Sequence, residues 1–355
     1  MFLEPIKISS KEHIIVTGGA GFIGSHLSER LLSEGKQVTI LTRNIATSRA
    51  QRLRMLGATL ISWDCSIPQK LDNFQEISGA KVFLHLAADV SVASPSLSST
   101  NVVGTKRALE LAGVLKIPYF IYASSIEAQG LGSDQEIPLS EESPCHPVSD
   151  YGISKIKAEE MVKNWDKEHN TKSLILRIGN IYGPGSSWFL RPSLMALVGA
   201  SSILPIWAIL KTRKFQPLYI ADLVEGIWRA VNQRLSGLYN MTGEEAIFIE
   251  HYLDKLSSLT GLAKQFAFIQ EEALKFGPLT QNIDPDFSYF LMGEGNQHHR
   301  VYDSGKLRME IGNFSRWSLS RGLGATLHWF CKTGAFPALL TTMKARQGEQ
   351  LCMSH

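Results

Sequence analysis

A β-branched run, His13-Ile14-Ile15-Val16-Thr17, leads directly into Gly18-Gly19-Ala20-Gly21-Phe22-Ile23-Gly24, and a helical pattern follows at once. Glycines at this spacing serve three needs: a tight turn, close backbone approach to a ligand, and close packing of helix on strand. The first turn of a helix also leaves backbone N–H groups free to hold an anion. A glycine run alone marks only a turn; the strand before it and the helix after it give the pattern its meaning. The segment therefore predicts a strand–turn–helix unit at the start of an alternating α/β fold. Its dinucleotide pyrophosphate would rest on Gly18, Gly21, Phe22, Ile23 and Gly24.

The rest of the first half repeats the same alternation. Strands are predicted at His13–Thr17, Gln37–Leu41, Thr59–Trp63, Val82–Leu86, Tyr119–Ala123 and Ser173–Arg177. Helical spacing occupies Ile23–Glu34, Ala46–Leu56, Ser98–Lys116 and Asp150–Glu168. Such alternation implies an α/β fold, a doubly wound parallel sheet with helices on both faces. The expected organisation is a dinucleotide-binding domain over 1–182, completed by about 217–240. A smaller mixed substrate lobe then covers 183–335, and 336–355 form a tail without an assigned role. Within 217–260, Pro217–Ile220 read as a short strand, Asp222–Val231 as a helix, and 237–260 as another strand and helix.

Composition narrows the partners. The 355 residues are 44% hydrophobic and 19% charged, enough for a large core. A net charge of +3 gives no electrostatic ground for nucleic-acid binding. No apolar stretch reaches the ~20 residues of a membrane span, and the start lacks the apolar core of a secretory signal. Cys65, Cys145, Cys331 and Cys352 show no metal spacing and read as reduced thiols, pointing to the cytoplasm. The ten histidines form no metal pattern, and the adjacent His298-His299 read as surface residues.

Cofactor type is addressed by the end of the second strand, Leu41-Thr42-Arg43-Asn44. An NAD enzyme usually places a carboxylate there for the ribose hydroxyls. Thr42 stands in its place, and Arg43 is suited to a 2′-phosphate, so NADP is expected, with NAD the other candidate. Asp64, followed by Cys65, ends the third strand, where a carboxylate suits the adenine amino group.

Tyr151-Gly152-Ile153-Ser154-Lys155 places a phenol and an ammonium on one helix face. A phenol is a poor base at neutral pH unless a nearby cation stabilises its phenolate, and Lys155 can supply that cation. Ser124-Ser125 follow the fifth strand at the carboxyl edge of the sheet, where open α/β sheets bind ligands.

Six segments in order carry a resemblance: TGGAGFIG, His85-Leu86-Ala87-Ala88, Asn101-Val102-Val103-Gly104-Thr105, Tyr122-Ala123-Ser124-Ser125, YGISK, and Arg177 through Gly185. Along residues 12 to 330 the chain resembles the extended short-chain dehydrogenase/reductase superfamily, within its NAD-dependent epimerase/dehydratase group. The resemblance implies Tyr151 as proton donor or acceptor, with Lys155 tuning it and holding the nicotinamide ribose. It implies Ser125 on the substrate oxygen, Ala87 and Ala88 along the cofactor, and Asn101 supporting the site. Asn180 and Glu127 would face the substrate. The group's dehydratases carry Asp-Glu after the catalytic hydroxyl residue; here Ile126-Glu127 follow, which disfavours dehydration. Sugar-nucleotide epimerases of the group often place an Arg where Phe215 stands, with Arg213 two residues away. FIYASSIEA and the Pro217–Ile220 run look like 3β-hydroxysteroid dehydrogenases and dihydroflavonol-reductase-like members.

The expected activity is NAD(P)-dependent interconversion of an alcohol and a ketone on an apolar small molecule, with Trp188–Leu210 as a candidate pocket wall. The alternative is a sugar-nucleotide epimerase that keeps its NAD. A non-catalytic nucleotide sensor on the same fold is the third reading, disfavoured by intact Ser125, Tyr151 and Lys155. The resemblance also implies a homodimer formed through the helices at Ser98–Lys116 and Asp150–Glu168.

Overall fold

The computed structural model describes residues 12–70, 74, 76–91, 94–132, 136–169, 171–186, 204–207, 213–261, 266–269 and 298–335. Most of the 188–210 stretch and the 336–355 tail lie outside the described residues. The chain runs β1 (His13–Thr17), α1 (Phe22–Ser33), β2 (Gln37–Thr42), α2 (Ser48–Met55), β3 (Thr59–Ser62) and β4 (Val82–His85). A wide π-turn at Ser99–Val103 then runs into α3 (Gly104–Val114). Next come β5 (Tyr119–Ser125), α4 (Ile126–Gln129), α5 (Asp150–His169), β6 (Lys172–Ile178), β7 (Asn180–Tyr182), β8 (Leu204–Trp207), β9 (Lys214–Phe215) and β10 (Pro217–Tyr219). They are followed by α6 (Ile220–Asn232), β11 (Gly237–Met241), β12 (Ile247–Phe248), α7 (Ile249–Thr260), β13 (Phe266–Ile269), α8 (Gly305–Ile311) and α9 (Leu319–Thr333).

Seven strands form one parallel sheet in the order β11-β6-β5-β4-β1-β2-β3. From the central β1 the chain winds outward through β2 and β3, then crosses back to β4 on the other side. That reversal opens a crevice at the carboxyl ends of β1 and β4, the binding place of doubly wound sheets. All five β1 residues are buried, as a central strand covered on both faces requires. Ile14 and Val16 belong to one core layer and Ile15 to the other, so strand alternation divides the core into two. One layer packs under α1 and α6; the other, with Phe83, Phe120 and Trp165, lies under α3 and α5.

Short pairings flank this sheet: β10 runs parallel to β7, β12 antiparallel to β9, and β13 parallel to β8. Most predicted boundaries shift by a residue or two, and two of the shifts bear on the site. β5 continues through Ser124 and Ser125, which are therefore held by strand hydrogen bonds to β6 rather than standing in a loop. α2 begins at Ser48 instead of Ala46 because the Thr47 hydroxyl accepts from Ala50 N and caps the helix there.

Candidate active site

Gly18 has φ +66°, and a Cβ on it would lie 2.7 Å from the Ala87 nitrogen. Only glycine permits that approach of β1 to the segment after β4. The turn closes with Gly21 N on Gly18 O, and α1 starts with neither a side-chain cap nor an acidic residue in its first turn. Its free N–H groups thus remain available to an anion.

A chain of polar contacts fixes the floor beside this turn. Thr105 Oγ1 donates to Asn101 O (2.6 Å), which makes it the acceptor for His85 Nε2 (3.1 Å). His85 Nδ1 then accepts from Thr17 Oγ1 (2.7 Å), and Thr17 in turn accepts from Ala87 N (3.3 Å). The directions require a neutral imidazole, and burial, with Lys155 adding to it, drives the His85 pKa down to about 3. This wiring holds the Ala87-Ala88 backbone in place. Asn101 holds the neighbouring segment: its side chain bonds both Asp89 backbone groups and the Ser154 hydroxyl. It is a support buried behind the cleft, and its amide is spent on protein partners.

The reactive groups meet through a close approach of α5 to α4. A Cβ on Gly152 would sit 2.2 Å from Glu127 O, so the glycine lets Tyr151 come up against Ser125. Ser125 caps α4 by accepting from Glu127 N. Lys155 is buried, donates to Ala123 O at 2.8 Å, and lies 5.7 Å from the centre of the Tyr151 ring. Burial pushes its pKa down to about 7, with Glu159 pulling the other way. Burial likewise raises the Tyr151 phenol above its ordinary value; the Ser125 hydrogen bond opposes this and the Glu127 carboxylate adds to it. The sequence led us to expect a phenol lowered by Lys155. In the structure desolvation dominates instead, and the group that opposes it is the Ser125 hydroxyl.

Behind these residues Glu159 receives Arg177 through Nε (2.9 Å) and Nη2 (2.8 Å), and Ser124 Oγ donates to it at 2.6 Å. Both charged side chains are fully buried. Arg177 Nη2 also reaches Cys145 Sγ at 3.2 Å, so this thiol is tied to the network under the site.

The resulting cleft has a volume of about 720 Å³. It brings together Gly18, Gly21, Phe22, Ile23, Gly24, Thr42, Arg43, Asp64, Cys65, Ala87, Ala88, Ser125, Glu127, Tyr151, Lys155 and Asn180. Asp64 also closes a turn by accepting from Ser66 N and Oγ. Burial works against its ionisation, but the Ser66 bonds and the Arg43 guanidinium outweigh it and lower its pKa. Burial, with the Asp64 carboxylate adding to it, pushes the Cys65 thiol up to about 11 and keeps it protonated at neutral pH. Glu127 is ion-paired with Arg300.

Several contributors to the cleft were not singled out from the sequence. Arg49 Nη2 donates to Gly185 O (3.0 Å), and His26 Nε2 donates to Pro184 O (2.9 Å). Together they clasp the segment after β7 onto α1 and α2 at the cleft. Buried Ser186 lines the cleft with its hydroxyl unpartnered. His298 is exposed as expected, but His299 is half-buried, and its Nδ1 accepts from Lys214 N. Phe215 is buried with its ring edge-on to Tyr252. Among the described residues no cluster suits a metal ion, and no helix is long and apolar enough to cross a membrane.

Residues 14–241 match the NAD dependent epimerase/dehydratase family. The chain belongs to that family. A Methanocaldococcus jannaschii relative with the provisional name UDP-glucose 4-epimerase is 34% identical over 175 residues. That match covers 48% of this chain and 56% of the relative, so the alignment spans little more than half of the relative's length. A Synechocystis relative provisionally named dihydroflavonol 4-reductase is 26% identical over 92% of this chain and 97% of its own. Among solved structures, UDP-glucuronic acid 4-epimerase from Bacillus cereus, in complex with UDP-glucuronic acid and NAD, superposes with a TM-score of 0.73. It is 23% identical and covers 90% of this chain and 99% of that one, a likeness of fold. Family members around this chain are NAD-dependent epimerases, dehydratases and reductases.

Proposed function

We propose that the protein is a sugar-nucleotide epimerase that oxidises and re-reduces one substrate on an NAD it does not release. This places the epimerase reading ahead of the apolar alcohol/ketone reaction. The clasp carries the argument: His26 ties Pro184 to α1, which opens from the glycine cradle, and Arg49 ties Gly185 to α2. Contacts that hold this segment at the cleft would slow cofactor exchange, which suits a cofactor regenerated within each turnover. The names of the M. jannaschii and B. cereus proteins point to the same chemistry.

The residues present fit a dinucleotide: the uncapped α1 start for the pyrophosphate, Asp64 for the adenine end, Lys155 for the inner ribose. Bound there, NAD supplies a hydride acceptor and a positive charge. Tyr151 takes the proton of the substrate hydroxyl, which Ser125 orients, as the carbon loses its hydride. It returns that proton when the resulting ketone is reduced from its other face. Without cofactor the raised pKa leaves Tyr151 as the neutral phenol. With NAD bound, Lys155 and the cofactor's positive charge would support the phenolate that accepts the substrate proton in the oxidising half, and the phenol so formed returns that proton in the reducing half.

Arg43 has the carboxylates of Asp64 and Asp89 in its field, and these oppose a 2′-phosphate as the guanidinium attracts it. NAD is therefore the cofactor we favour over NADP, and titrating both against the purified protein decides between them. A homodimer through α3 and α5 is supported by exposed Val103, Val114 and Ile153 along these elements, and light scattering tests it.

Phe215 keeps the reductase reading as the second one, since a buried phenyl ring offers nothing to a diphosphate. The two readings separate on incubation of purified protein with a panel of uridine- and thymidine-diphosphate sugars and no added cofactor. Epimerised product over many turnovers supports the proposal. Conversion that requires added NAD(H) or NADP(H) in stoichiometric amount supports the reductase.

A further inference from the structure

A buried ammonium needs partners, and Lys155 has few of the usual kind. It is buried at the cleft and makes no ion pair among the described residues. Of its three N–H donors one goes to Ala123 O. Glu159, one turn along the same helix, is held by Arg177 and Ser124. What surrounds the ammonium is aromatic. Its Nζ lies over the Tyr122 ring, 4.9 Å from the centre, and 5.7 Å from the centre of the Tyr151 ring.

The Tyr122 ring is itself fixed. Tyr122 is fully buried on β5 and pairs in register with His85 on β4. Their rings stack, with centres 5.9 Å apart and planes 22° from parallel. His85 is in turn wired to Thr17 and Thr105, and it stays neutral. The face of an aromatic ring carries negative potential. A desolvated ammonium over that face gains more than an exposed one does, and a neutral amine gains nothing comparable.

We infer that Tyr122 is a positioning residue, whose ring face keeps the Lys155 side chain charged and seated at the Ala123 carbonyl beside Tyr151. The inference deepens the proposed function and rests on it for the use made of that cation, the support of a Tyr151 phenolate. Burial pushes Lys155 down to about 7, and the ring works with Glu159 against that drift toward a neutral amine. The other titratable groups around the pair are Tyr151 on α5, His85 on β4 and Glu127 on α4, which acts on Tyr151. Arg177 on β6 is spent on Glu159.

NMR titration of protein labelled with carbon-13 at the lysine Cε atoms tests it, the Lys155 signal being assigned by its loss in Lys155→Met. Tyr122→Phe keeps the ring face, whereas 3,4,5-trifluorophenylalanine at position 122 keeps the shape and withdraws the charge of that face. The Tyr122→Phe protein should titrate at Lys155 within about 0.3 pH unit of the unaltered protein, and the fluorinated one about one unit lower. The readout needs no substrate, so a protein that epimerises no sugar nucleotide still answers for Tyr122. Equal midpoints for the plain and fluorinated rings overturn the inference, and so does a higher midpoint for the fluorinated one.

Discussion

At the residue scale the chemistry turns on Tyr151 and Lys155, and burial acts on both. Tyr151→Phe removes the proton carrier while keeping the ring. It should lower turnover by about 10²–10⁴-fold while cofactor affinity, measured by fluorescence titration, stays within a factor of a few. Lys155 gives a prediction with a definite sign. Its folded pKa of about 7 lies below the ordinary 10.5, so the unfolded chain binds the extra proton between these values. The buried ammonium therefore costs the folded state most below pH 7, and the cost fades as pH rises toward the ordinary value. Lys155→Met should raise Tm most near neutral pH, and the gain should shrink by about pH 10. A gain that is flat or grows with pH would show that Lys155 is not desolvated in this way. The positions of both residues were readable from YGISK, but the direction of the Tyr151 shift was not. Spacing places a cation near a phenol and says nothing of how much water either loses.

At the element scale, strand ends and helix starts carry the site, and a buried ion pair locks them together. Glu159 on α5 and Arg177 on β6 join the helix of Tyr151 and Lys155 to the strand beside Ser125. Arg177→Met leaves a carboxylate buried without its partner and should cost about 3–5 kcal/mol in denaturant unfolding. The Glu159→Gln/Arg177→Met double variant should recover more than half of that loss, because neither member of the pair then leaves the other's charge buried alone. Additive losses would mean that the two side chains do not form a mutually dependent pair. The elements themselves were legible in the sequence. β1 is a β-branched run bounded by polar residues and glycines, and α1 shows helical spacing, so local pattern decides each. The π-turn before α3 was not legible, since its wider winding leaves no mark on a short polar stretch. Nor was the pairing of Arg300 with Glu127, which joins residues 173 positions apart. Periodicity reports which side of an element is buried, whereas a polar partner is chosen by the tertiary fold.

At the scale of the whole molecule, the parallel sheet presents its carboxyl edge to a cleft whose mouth is held by contacts from three segments. The glycine cradle, the end of β2 and the motif after β6 were visible as separate pieces. Their closure was not, because Arg49 and Gly185 lie 136 residues apart and meet only after the sheet is wound. The Arg49→Ala/His26→Ala double variant should speed NAD dissociation about tenfold, two lost hydrogen bonds of ordinary strength. Stopped-flow displacement by excess cofactor measures it, and an unchanged rate would mean that the clasp does not retain NAD. The account's central claim is that one hydride leaves the substrate and comes back to it within a single protein molecule. Substrate deuterated at the reacting carbinol carbon tests this most directly, in buffer without added cofactor. The account predicts epimerised product that keeps its deuterium on that carbon over many turnovers; deuterium lost to the free cofactor pool, in step with released ketone, would contradict it.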